Sequence, residues 1–135
     1  MSQDLVMENL CQGICEDSME VLNWNWDEHF QTVLSQFSKN EKDKVMDIVS
    51  NHFNSTYDHQ SISSASDTAQ MSVRDLGGLR EGQMFFFQEL EDGRNLFGAW
   101  WPWGNDQTIS IRIGFSLGSA NNELNSKLKN LFGIQ

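Results

Sequence analysis

The sequence predicts an α+β fold: N-terminal helices packed on one face of a three-stranded, or slightly larger, antiparallel sheet, with a C-terminal helix. Three observations predict it. Residues 107–117 alternate, with Ile109, Ile111, Ile113, Phe115 and Leu117 on one side and Thr108, Ser110, Arg112 and Ser116 on the other. Asp92 followed by Gly93, between two aromatic-rich runs, is the strongest short hairpin signal a sequence offers. The first 53 residues repeat apolar side chains at spacings of three and four, as helices do.

Each element follows in order. Val6, Leu10 and Ile14, with Met7 and Cys11 alongside, make one helical stripe over residues 3–15, weakened by Gly13. Asn25 with Glu28 three residues on resembles a capping box. Trp26, Phe30, Val33, Leu34 and Phe37 then predict a second helix. A start signal at 38–40, acids at 41–43, and Val45, Ile48, Val49, His52 and Phe53 predict a third, packed antiparallel to the second. Residues 1–53 are thus the helical part.

Residues 54–82 read as a flexible connection, serine-rich over 54–66. It holds one short helix with Ser66 as cap, Ala69, Val73 and Leu76 on one face, and Gly77 just past its end. The sheet occupies 83–117. Ser119 then caps a last helix over 119–132, with Leu124, Leu128, Leu131 and Phe132 as its stripe.

Hairpin register assigns the faces of the sheet. A two-residue turn at Asp92 and Gly93 sets Glu91 opposite Arg94, Phe87 opposite Gly98, Phe86 opposite Ala99 and Phe85 opposite Trp100. A two-residue turn within 104–106 carries the count into the third strand. One face then collects Phe85, Phe87, Leu96, Trp100, Ile109, Ile111, Ile113 and Phe115 and is the core. The other collects Met84, Phe86, Leu90, Phe97, Ala99, Trp101 and Trp103 with Thr108, Ser110 and Arg112. That is too aromatic for a wet face and too polar for a core. A covering helix, such as the last one, a protein interface, or a platform that stacks a sugar or base ring would each account for it.

Composition narrows the function. The chain has 135 residues, 39% of them apolar, with nine Phe and five Trp. That suits one domain with a core that needs no disulfide. The two cysteines, a start without a basic and apolar leader, and the lack of any run near the ~18 apolar residues of a membrane span predict a cytoplasmic protein. A secreted or injected protein without an ordinary signal is the exception. Net charge is −10; residues 1–58 hold eleven acids against three lysines. Such a field repels nucleic acid and anionic membranes and favours a basic protein partner or plain solubility.

Motifs for chemistry are weak. Cys11 and Cys15 share a helix face but lack the second pair a zinc site needs, so no metal or cofactor is expected. His52 reads as a hydrogen-bonded histidine at the core edge. Asp58 and His59 lie beside Ser55 and Ser61, but nothing orders them as a triad. Glu91 and Asp92 belong to a solvated turn, while Glu89 shares the parity of Phe87 and points toward the core. Residues 76–82 are glycine-rich but lead into a strand, which excludes a phosphate loop; Arg74 and Arg80 flank a solvated turn.

The expected function is therefore a non-catalytic protein-binding module that acts by occluding its partner. Immunity proteins, inhibitors and secretion chaperones share this general composition. Its expected contact residues are Phe86, Phe97, Trp101, Trp103 and Arg112. The alternative is a small-ligand-binding or enzymatic domain with a pocket between the aromatic sheet face and the loop at 76–82. A self-complementary aromatic face is also compatible with a twofold homodimer.

Overall fold

A computed structural model describes residues 5–90, 93–116 and 121–134. Four helices and six strands occur among them: α1 (Leu5–Ser18), β1 (Asn25–Asp27), β2 (Thr32–Ser38), α2 (Lys42–His52), β3 (Ser55–Tyr57), α3 (Asp67–Asp75), β4 (Met84–Glu89), β5 (Asn95–Pro102), β6 (Thr108–Phe115) and α4 (Asn122–Leu131). The α+β expectation holds, but the sheet has six strands in the order β1-β2-β6-β5-β4-β3, every neighbour antiparallel.

The additional strands correct two expectations. The helix expected over Trp26 to Phe37 is the β1–β2 hairpin, with Trp26 opposite Val33. Spacings of four, such as Val33 to Phe37, fit a period of two as well as 3.6, so the pattern was degenerate. The β-branched pair Thr32 and Val33 and the burial of Val33, Ser35 and Phe37 on one side decide for a strand. With that helix gone, α2 packs against α1. The second correction lies in the serine-rich stretch, which holds β3 on the outer edge of β4 and a 3-10 turn over Ser61–Ser64.

Three helices close one face of the sheet. Met7, Leu10, Cys11 and Ile14 of α1, Val45 and Val49 of α2, and Leu124 and Leu128 of α4 bury against Val33, Phe37, Phe86, Leu96, Trp100, Ile109, Ile111, Ile113 and Phe115. At Gly13 the absence of a side chain makes room for α2: a Cβ there would overlap the His52 ring. His52 in turn bonds Asp17 at 2.7 Å, the core-edge arrangement expected of it. Glu8 and Lys127 join α1 to α4 at 3.0 Å. Asn121 caps α4, accepting from Leu124 N–H at 2.8 Å. The caps expected at Ser119 and the strand position Leu117 lie outside the described residues.

The first hairpin corrects the register by one residue. Leu90 N–H donates to the Arg94 carbonyl at 2.8 Å, and Gly93 N–H to Leu90 at 3.1 Å. Three residues, 91–93, therefore separate the paired positions, with Gly93 at φ 87° supplying the left-handed conformation such a loop needs. The expected Glu91 pairing and Asp92 lie outside the described residues. The one-residue change exchanges the faces of β4. Phe86 stands opposite Gly98 and joins the first face with Met84 and Leu90, whereas Phe85 and Phe87 stand opposite Ala99 and Phe97 on the second. Glu89, expected to point at the core, is exposed at the strand end. The second hairpin keeps the expected faces, with Ala99 opposite Arg112 and Trp101 opposite Ser110.

The second face is covered in part, by α3 and not by the last helix. Ser66 caps α3 through its bond from Ala69 N–H at 3.2 Å, and Gly77 follows at φ 97°, as the sequence predicts. Ala65, Ala69 and Val73 bury against Phe85, Phe87, Phe97 and Ala99, where Phe85 stacks on Phe97 with centroids 6.0 Å apart.

The thiols of α1 carry a pH dependence. Burial, with Cys15 nearby, pushes the Cys11 thiol far up; burial, with Glu16 nearby, pushes Cys15 to about 11 from 9.0. The unfolded chain therefore loses these protons first as pH rises. The stability they contribute is complete below pH 8 or so and declines through pH 9 toward 11, roughly the span between the two Cys15 values. Urea midpoints measured between neutral pH and pH 10.5 should fall more steeply for the native protein than for Cys15→Ala. Parallel curves would contradict the assignment.

Candidate functional site

Among the described residues, part of the second face carries no helix. The nine residues of α3 make a rod of about 14 Å. Six strands at about 4.8 Å spacing span some 24 Å. α3 packs on β4 and β5 and meets the end of β6 where Ser72 bonds Ser116. Beside it Trp101 of β5, Arg112 of β6, Leu34 of β2, and Asp27 and Phe30 of the β1–β2 hairpin lie side by side.

Arg112 organises this patch. Its Nε donates to Asp27 Oδ2 at 2.8 Å, and its guanidinium lies 4.7 Å from the Trp101 ring centroid and 5.3 Å from that of Phe30. Phe30 and Trp101 meet edge to face at 5.2 Å. Asp27 spends its other oxygen on His29 N–H at 3.1 Å, fixing the β1–β2 turn that presents Phe30. The Arg112 and Asp27 side chains are 16% and 14% exposed. This cation therefore holds two aromatic rings in place and is not a free surface charge.

Trp103 is held separately. Its indole N–H donates to the buried Ser110 hydroxyl at 2.6 Å, yet the residue remains 43% exposed. The hairpin carrying it is tied to the end of β2 by Lys39 and Asp106 at 2.8 Å. That bond, and then the Lys39 charge, hold the Asp106 carboxyl below its ordinary value.

The five expected contact residues thus divide. Trp101, Trp103 and Arg112 share the helix-free patch. Phe97 is on the same face but buried beneath α3. Phe86 is fully buried on the opposite face, a consequence of the three-residue loop. Phe30, Leu34 and Asp27 belong to the patch although the sequence reading did not place them there. A period-two reading of residues 32–38 is the signal that sets Leu34 beside Arg112.

Two cavities are notable, one on each face of the sheet. One, of about 410 Å³, lies under the Trp103 hairpin against Trp100, Met46 and Met84, with Lys42 at its edge. The other, of about 310 Å³, lies between the end of α3, the β1–β2 turn and the sheet, lined by Phe30, Leu76, Phe97 and Phe115 and by the Ser72 and Ser116 hydroxyls.

Catalytic groups are not assembled at Asp58. Its carboxylate accepts from the Ser61 and Gln60 N–H groups at 2.7 and 2.9 Å, which hold it below its ordinary value. An acid so engaged stabilises its own turn and does not orient His59. Among the described residues, no three His, Cys, Asp or Glu side chains are grouped to hold a metal ion, and no helix is long and apolar enough to cross a membrane. Comparison with protein families, with characterised proteins and with solved structures finds no match to this chain.

Proposed function

We propose that this protein is a non-catalytic binding module that occludes a basic protein partner with the helix-free part of its second sheet face. The observation that carries the reading is the pair of immobilised aromatic rings. Trp103 is 43% exposed while its indole N–H is fixed by Ser110, and Trp101 is fixed by Arg112 and Phe30. Tryptophans held in place before binding lose little entropy on association, which is what makes them effective anchors. The net charge of −10 supports a basic partner, because it accelerates encounter with positive surfaces.

The test is comparative. The native protein and Trp103→Ala serve as baits in extracts of the source cells, and any protein retained by the first and lost by the second is titrated calorimetrically. Trp103→Ala is expected to weaken binding about 30-fold, the scale of a hot spot. It should change folding stability by only about 1 kcal/mol, for the lost Ser110 bond. Affinity should also fall with added salt. A captured protein that binds both forms equally, or whose affinity ignores salt, contradicts the proposal.

A further inference from the structure

The cavity between α3 and the β1–β2 turn has a one-sided chemistry. Its floor carries two hydroxyls that are more than nine-tenths buried, Ser72 at 4% and Ser116 at 8% exposed. Their oxygens lie 2.7 Å apart, and Ser72 donates to the Thr68 carbonyl at 3.1 Å. With the Ser72 proton on Thr68, the Ser116 proton bridges to Ser72. Both protons are then spent, and lone pairs are what the pair still offers.

The rim repeats this bias. The Gln31 amide nitrogen already donates to the Glu28 carbonyl at 2.8 Å and carboxylate at 3.0 Å. Asp75 at the end of α3 is exposed, and no cation lies within ion-pair distance of it among the described residues. Among the described residues no Lys or Arg lines the cavity, and the His29 ring, edge-on to Phe30 at 4.5 Å, brings one N–H donor against the two hydroxyl oxygens and the Asp75 carboxylate. Acceptors thus outnumber donors, within aromatic and aliphatic walls.

We infer that this cavity is a binding site for a small aryl-alkyl ammonium compound. The ring lies among Phe30, Phe97, Phe115 and Leu76, and the ammonium donates to Asp75, with the Ser72 and Ser116 oxygens facing the same cavity. Size agrees: a cavity of about 150 Å³ already admits a benzene ring, and this one is about 310 Å³. Charge agrees as well, since a net charge of −10 concentrates cations near the surface. A carboxylate ligand would set lone pairs against lone pairs here. The site shares Phe30 with the protein-binding patch but not Trp103, so Trp103→Ala tests the one without touching the other.

The probe is 2-phenylethylamine, protonated at neutral pH, titrated into the full chain and followed by amide chemical shifts and calorimetry. 3-Phenylpropionate and 2-phenylethanol serve as the anionic and neutral counterparts. Shifts are expected at Ser72, Ser116 and Phe97, with the amine binding about tenfold more tightly than the anion. Asp75→Asn, a surface change that leaves folding intact, should weaken the amine about tenfold and leave the alcohol unchanged. Leu76→Trp, which fills the cavity, should abolish binding of all three. The inference is overturned if the anion binds as well as the amine, if Asp75→Asn has no effect, if the shifts lie elsewhere, or if no binding is seen up to about 10 mM.

Discussion

Phe86→Ala is expected to destabilise the protein by about 3–5 kcal/mol, a large part of the 5–15 kcal/mol that holds a typical domain together. Phe86 is fully buried, tilted against Phe53 at 5.7 Å and edge-on to Trp100 at 6.5 Å. Its removal leaves a void beneath α2 that the paired strands cannot close, so a cavity penalty adds to the lost transfer energy. Denaturant unfolding measures the total. A double-mutant cycle locates the cause. A Cβ added at Gly98 would stand 3.0 Å from Phe86 Cδ2 and 3.2 Å from its Cβ. Gly98→Ala should therefore cost about 1–3 kcal/mol in the native protein. It should cost clearly less once Phe86 is alanine, because the Cδ2 contact is gone while the contact with the residue 86 Cβ remains. If Gly98→Ala couples instead to Phe87→Ala, the register is one residue off. A cost below 1 kcal/mol for Phe86→Ala, about the size of an ordinary surface change, would count equally against it.

That register marks the boundary of what the sequence discloses. β6 was legible because its polar and apolar residues alternate strictly, and α3 because Ser66 and Gly77 mark both its ends. β4 begins Met84, Phe85, Phe86, Phe87, four apolar residues with no alternation. Its faces depended wholly on loop length, and a third loop residue reversed them. The β1–β2 hairpin was hidden for another reason: Val33 to Phe37 is one helical turn and also two strand repeats. β3 has three residues, too few to show any period. The candidate site suffered most. Trp101, Trp103 and Arg112 were placed together by counting along one hairpin. Asp27, which fixes Arg112, is 85 residues away in a segment read as helix, and no local pattern signals a pair closed by tertiary structure.

The Asp27–Arg112 pair is where fold and proposed function meet, and Arg112→Met is the second substitution of large expected effect. Both side chains are about six-sevenths buried, so removing the guanidinium leaves the Asp27 carboxylate with His29 N–H and little water. Stranding one member of a buried pair costs about 3–5 kcal/mol. Partial solvent access here favours the lower end of that range. Loss of the cation above Trp101 and Phe30 adds about 0.5–1 kcal/mol for each ring. Methionine keeps most of the volume, so a cavity contributes little. Two measurements separate the pair from mere packing. Asp27→Asn in the Arg112→Met background should recover part of the loss, because a neutral amide tolerates burial that a lone carboxylate does not. Trp101 should become more mobile and its fluorescence red-shifted, because the Arg112 guanidinium no longer covers its face and Phe30 meets it only edge to face. If the double variant is no more stable than Arg112→Met alone, the ion pair is not what holds the patch together. If it folds stably but binds the partner as poorly as Trp103→Ala, then Arg112 serves binding as well as folding.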